Sequence, residues 1–159
     1  MAYALQSMLR IRTMREDRTQ TELAQARSAK AAAEKALEAR EQAIIDYETT
    51  KDERRDRVYD MVMGKVVSMN DLDQVRAAIA QIDEEGVLLV EAEHRAQQVV
   101  QEKEHAVEQA RLTYVEAVKE KAKIVEHRRV WEDEARLFEE LTADREMEDF
   151  VGVKLKVED

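Results

Sequence analysis

The sequence has no cysteine and no proline, and only three glycines, two phenylalanines and one tryptophan among its 159 residues. Without cysteine there are no disulfides, no thiolate metal sites and no cysteine nucleophile, which suits a reducing compartment. Without proline no residue locks φ or withholds a backbone donor, so a helical run continues for as long as its side chains favour it. With so few aromatic rings, the apolar material is mostly Ala, Val, Leu, Ile and Met spread thinly along the length. That distribution suits a narrow seam between helices and excludes a wide globular core. No stretch approaches the roughly 18 to 20 apolar residues that span a bilayer, and the first ten residues lack the charged region and apolar run of a secretory signal. The expectation is a cytoplasmic chain without direct membrane insertion, held at a membrane, if at all, by another protein.

What the sequence does have is charge. Charged residues make up 39% and the formal net charge is −10. Residues 1–30 carry six basic against three acidic side chains, whereas residues 132–159 carry four basic against eleven acidic. The two ends of a hairpin would then meet with opposite charge. Net acidity without a basic stripe argues against nucleic acid as a partner.

The chain is organised around a short break, Met63 to Asp71. Gly64 is the only glycine of the first half, and a glycine next to the end of an uninterrupted pattern stops a helix by accepting the left-handed conformation. Ser68 and Asp71 have capping-box spacing, with Asn70 a competing N-cap before Leu72. The alternative is a kink in one continuous helix.

Before the break, Leu23, Ala26, Ala33, Leu37, Ile44, Tyr47, Val58 and Met61 follow alternating three-and-four spacing, interrupted by Lys30, Arg40, Lys51 and Arg54. Towards the N-terminus Tyr3, Leu5, Met8, Leu9, Ile11 and Met14 cluster too densely for a two-stranded seam. Part of that surface faces something other than the second helix, or packs broadly around Trp131. After the break the series runs Val75, Ile79, Ile82, Leu89, Ala96, Val100, Val107, Ala110, Tyr114, Ala117, Ile124, Trp131, Ala135 and Phe138. Gly86 stands within it as a soft point or a place of close approach.

These patterns predict an all-α fold, a long two-helix antiparallel coiled-coil hairpin. Helix one covers about residues 3–62, the turn about 63–70 and helix two about 71–150, with a frayed tail at 151–159. A turn near residue 66 makes opposed positions add to about 132, placing Ile44 near Leu89 and Leu23 near Ala110. It leaves the segment after about residue 131 without a partner from helix one, an overhang of up to roughly 40 Å. Phe138, Leu141, Met147, Phe150 and Val151 lie in that overhang among its acids, and an apolar stripe without an internal partner points to another protein or to dimerisation.

Little here could carry chemistry. Glu91-Ala-Glu93-His94 and Glu102-Lys-Glu104-His105 both contain the Glu-x-x-His spacing of di-iron bundles, but they lie on one helix about 16 Å apart and cannot share a dinuclear centre within one hairpin. His127 stands in Glu126-His127-Arg128-Arg129, which reads as a solvated face. No phosphate-cradling loop and no nucleophile paired with a base is present, so no catalytic residue, cofactor or metal is assigned.

Three segments taken together, Tyr3-Ala-Leu5-x-x-Met8-Leu9-x-Ile11-Arg12, Ile44-Ile45-Asp46-Tyr47, and Trp131 followed by Asp144-Arg145-Glu146-Met147-Glu148-Asp149-Phe150, resemble the YscO/FliJ family over nearly the whole chain. These are the central stalk proteins of type III secretion and flagellar export. The lack of further flagellar-type aromatic residues around the turn favours the virulence-type branch. The resemblance implies a non-catalytic stalk, peripheral at the inner-membrane export apparatus. Its terminal end would enter the hexameric export ATPase and its other surface would meet the export-gate membrane protein, with export chaperones as further partners. On that resemblance Leu5, Met8, Arg12, Arg15, Trp131, Phe138, Met147 and Phe150 are expected at the ATPase end, with packing against the first turns of helix one the alternative for Trp131. Ile44, Tyr47 and Ile79 match the gate-contacting patch, yet the same residues lie on the seam; either the helices splay there or the patch is only partly exposed.

Two other functions fit a chain of this composition. An adaptor or escort for export chaperones, or a generic scaffold, would not bind once per ATPase hexamer as a stalk does. A ferritin-like metalloenzyme would retain iron or manganese on purification.

Overall fold

The computed structural model describes residues 3–157, and the side chains of residues 3–149. Its elements are two helices, α1 (Gln6–Asp60, 55 residues) and α2 (Met69–Val157, 89 residues), packed against each other, with no strand among the described residues. The all-α hairpin expected from the periodicity is the fold found.

The boundaries differ from the expected ones by a few residues. α1 begins at Gln6, whose N–H donates to the Tyr3 carbonyl at 3.2 Å, so that residues 4 and 5 form a turn ahead of the helix. At its far end residues 61–64 form turns. Gly64 has φ +70°, the only positive φ among the described residues, and this reverses the chain. The Met63 N–H still reaches the Tyr59 carbonyl at 3.0 Å, and the Lys65 ammonium donates to the Met61 carbonyl at 3.2 Å, covering groups that the helix end leaves unpaired.

α2 starts on a reciprocal cap. The Ser68 N–H donates to Asp71 Oδ2 at 2.7 Å, and the Asp71 N–H donates to Ser68 Oγ at 3.2 Å. Ser68, not Asn70, is therefore the capping residue. The helix continues through Gly152 to Val157, beyond the end expected near residue 150. A glycine weakens a helix interior by about 1 kcal/mol relative to alanine, but stops it only where the backbone turns left-handed. Of the tail expected at 151–159, residues 158 and 159 lie outside the described residues.

The cap carries a pH signature. The Ser68 hydroxyl, followed by the Ser68 backbone N–H, holds the Asp71 carboxyl below its ordinary 3.8. A carboxyl more acidic in the folded state stabilises it fully above the unfolded value, and that contribution is lost as pH falls through the folded value. Asp71→Asn should lower the thermal midpoint by about 2–4 °C at neutral pH. Melting curves followed by circular dichroism should show the gap closing as pH is taken below 3.8.

The chain divides into two compact units, each drawing on both helices: residues 23–110 around the turn, and residues 1–22 with 111–159. In the turn unit Leu23, Ala33, Tyr47 and Ile82 are buried, and most of the remaining predicted seam is half-buried. Met61 departs from it and is exposed, because α1 has already ended. The charged interruptions lay their stems along the seam and find carboxylates at its edge. Lys30 reaches Glu104 at 3.2 Å, Arg54 reaches Glu85 at 2.6 Å, and Lys51 reaches Glu48 at 2.7 Å. The Arg54 hydrogen bond holds the Glu85 carboxyl below its usual range.

The close approach anticipated at Gly86 is made by Tyr47. Its ring lies over the glycine, and its hydroxyl donates to the Ile82 carbonyl at 2.8 Å, a buried bond.

In the terminal unit Tyr3, Thr19 and Ala117 are buried. Thr19 is satisfied locally, its hydroxyl donating to the carbonyls of Arg15 and Glu16. Cross-helix ion pairs join Lys121 to Glu16 at 3.0 Å and both Arg12 and Arg15 to Glu120.

Candidate protein-interaction surfaces

The expected ATPase-end residues fall into two groups in the terminal unit. The first surrounds the start of α1. Tyr3 fits between His127 and Trp131: its hydroxyl lies 2.9 Å from His127 Nδ1, and its ring centroid lies 5.4 Å from that of Trp131. Trp131 thus packs on Tyr3, just ahead of the first turn of α1, and is half-buried. His127, read from sequence as part of a solvated run, is also Tyr3's partner; nothing in its immediate neighbours signals a contact 124 residues away. Leu5 is half-buried and Met8 exposed.

Arg12 and Arg15 share one carboxylate, Glu120, the second at 2.9 Å. Two guanidiniums on one carboxylate leave a net positive site. Ile11 and Met14 stand beside it, each 63% exposed. Both belong to the dense apolar cluster of the sequence, and their exposure makes them better contact residues than Leu5.

The second group lies on α2 beyond its last contact with α1. Every described side chain from Arg136 to Asp149 is exposed, including Leu137, Phe138, Leu141 and Met147. Phe138 is 64% exposed although it continues the seam series, because no residue of α1 lies opposite. Leu137 and Leu141 join the expected residues here; the side chain of Phe150 lies outside the described residues. The opposite charges expected to meet do not. Arg12 and Arg15 are answered by Glu120, and the acids from Glu139 onward lie past the start of α1.

In the turn unit, Ile44, Tyr47 and Ile79 occupy the seam. Tyr47 is only 8% exposed, while Ile44 and Ile79 are half-buried. A further surface gives no periodic signal and was not expected. Around the turn Tyr59, Met61, Met63, Val66, Met69 and Leu72 are all exposed. Below them Val58, Val62, Val67 and Val75 line a groove of about 450 Å³. Only composition hints at it: three of the seven methionines lie within nine residues.

Two exposed apolar surfaces on an otherwise charged pair of helices describe a protein that presents contacts. The family model for the type III secretion protein YscO matches residues 5–153. The chain belongs to the YscO family. No curated protein and no solved structure matches it.

This YscO-family chain is thus a type III secretion protein. No group of three or more His, Asp or Glu gathers in metal-binding geometry among the described residues, and His94 lies 3.4 Å from the side chain of Gln98. No described helix is long and apolar enough to cross a membrane.

Proposed function

We propose that this chain is the non-catalytic central stalk of a virulence-type export apparatus, at the cytoplasmic side of the inner membrane. Its terminal unit inserts into the hexameric export ATPase. The observation that carries this reading is the α2 overhang, a helix with an exposed apolar face beyond the start of α1. In the same terminal unit stand the half-neutralised Arg12 and Arg15 and the exposed Met8, Ile11 and Met14. One asymmetric element cannot touch six identical subunits equally. It therefore distinguishes their states and promotes ordered hydrolysis through differential contacts, contributing no chemistry of its own.

The export-gate membrane protein is the partner proposed for the turn unit, in the region of Ile44, Tyr47 and Ile79. Buried Tyr47 acts there by fixing the helix spacing, and the surface around half-buried Ile44 and Ile79 makes the contact. A second reading, an adaptor for export chaperones, draws on the exposed methionines of the turn, since flexible thioethers adapt to varied partners.

Stoichiometry separates the two. Mixed with the export ATPase of its own system, the chain should form a complex of one copy per six subunits, read by native mass spectrometry, with a raised ATPase rate. A variable ratio with an unchanged rate would favour the adaptor.

A further inference from the structure

The terminal unit is divided in charge. Its paired part, residues 3–22 with 111–131, carries ten basic against six acidic side chains, a net +4. The stretch that follows on α2, residues 132–149, carries two basic against nine acidic, a net −7. Neither part neutralises its own exposed charges. Arg10, Lys119 and Lys123 are exposed and make no ion pair among the described residues, and Arg12 and Arg15 share the single carboxylate of Glu120. From Glu139 to Asp149 six carboxylates and Arg145 are exposed, and none of them is in an ion pair among the described residues.

Both parts also expose apolar side chains. Met8, Ile11 and Arg15 fall within about 60° of one another on α1, at 100° per residue. Arg15 reaches Glu120, and Lys123 stands one turn further along α2. Met8 and Ile11, 41% and 63% exposed, thus share a side of the unit with an unpaired lysine. On the acidic stretch Leu137, Phe138 and Leu141 fall within about 100°, and Glu134, Arg145 and Glu148 fall in the same sector, so that face is apolar and net negative. The two surfaces are complementary in charge and in apolar character. One copy cannot bring them together, because α2 runs unbroken through both parts and carries the acidic stretch away from the start of α1. A second copy, antiparallel to the first, answers both at once. It lays its acidic stretch on the basic part of the first and receives the acidic stretch of the first on its own basic part, so one contact forms twice about a two-fold axis.

We propose that two copies of the chain associate through their terminal units, antiparallel along α2, the acidic stretch of each docked beside Met8, Ile11 and Lys123 of the other. The docked residues include those assigned above to the ATPase, so the two engagements exclude each other and the ATPase must displace the second copy. The association is tested on this chain alone, and its failure would leave the ATPase reading standing.

Sedimentation velocity on the full chain at about 10 to 100 μM should show a concentration-dependent dimer that weakens as salt is raised. Lys119→Glu with Lys123→Glu should weaken it at least about tenfold, as should Glu139→Lys with Glu140→Lys. An equal mixture of the two reversed chains should recover the dimer, since both contacts of the mixed pair then join opposite charges, and a misfolded variant could not do this. A chain ending at Arg136 should be monomeric over the same range. A full chain monomeric at about 100 μM would overturn the proposal. So would association insensitive to either reversal or to the truncation, failure of the mixture to recover it, or its loss on Met63→Ser with Met69→Ser, which would place the contact at the turn.

Discussion

Gly86→Ala should lower the stability of the chain, although alanine is the better helix former by about 1 kcal/mol. A Cβ at position 86 would lie 2.7 Å from Tyr47 Oη and 2.8 Å from Cε1 and Cζ, well inside van der Waals contact. These atoms are the far end of the side chain, but the ring is not free to give way. It is buried, and its hydroxyl is tied to the Ile82 carbonyl at 2.8 Å. Moving it breaks that bond and opens the seam beside Ile82, another of the few buried residues. Overpacking of this kind costs about 1–3 kcal/mol, which exceeds the gain in propensity. With Tyr47→Leu in place the clashing atoms are gone, and Gly86→Ala should then stabilise. That change of sign between backgrounds, in urea melts of the four chains, is the test; an alanine that stabilises the wild-type background would refute the close-approach account. Tyr47→Ala alone should cost about 3–5 kcal/mol. Against a typical total of about 5–15 kcal/mol, that is enough to leave the turn unit only partly folded.

The Tyr47–Gly86 contact also shows how far a sequence of this kind can be read. Periodicity placed both residues on the seam, and a glycine inside a helical series permits either weakness or close approach. Choosing between them needs the ring that occupies the space. The turn was legible for the same local reason. Gly64 needs no partner to take φ +70°, and Ser68 and Asp71 satisfy each other. Register followed from the turn, and with it the unopposed end of α2.

What was not legible lay outside periodicity. Tyr3 meets His127 through a bond spanning 124 residues, and two arginines converge on Glu120 although the charge asymmetry pointed them toward the acidic C-terminal segment. Composition over 28 residues cannot see that register carries α2 past the beginning of α1. Of the exposed methionines at the turn, Met61 was placed on the seam by periodicity, but α1 ends one residue before it, and Met63 and Met69 stood outside the series. Of the positions proposed above for the gate contact, the seam pattern predicted burial, and the structure has Tyr47 buried and Ile44 and Ile79 half-buried. The gate contact proposed for them therefore calls on the surface around them.

A chain ending at Arg136 should separate folding from function more sharply than any point substitution. The described side chains it removes are all exposed, so its loss should shift the thermal midpoint by no more than about 1–2 °C. Trp131 and its Tyr3 partner remain, so the start of α1 keeps its packing. On the stalk reading the same truncation removes Phe138, Leu141 and Met147, the large apolar anchors of the ATPase contact. Interfaces concentrate their energy in a few such side chains, so stimulation of the ATPase should fall by at least about tenfold. Phe138→Ser with Leu141→Ser should reproduce the loss in the full-length chain, because an exposed position tolerates serine at little cost to the fold. Trp131→Ala should do the reverse, lowering the midpoint through lost packing before any effect on the partner is seen. If the truncated chain still raised the ATPase rate fully, the overhang would not be the inserted element, and the contact would have to be sought at Arg12, Arg15 and the exposed Ile11 and Met14.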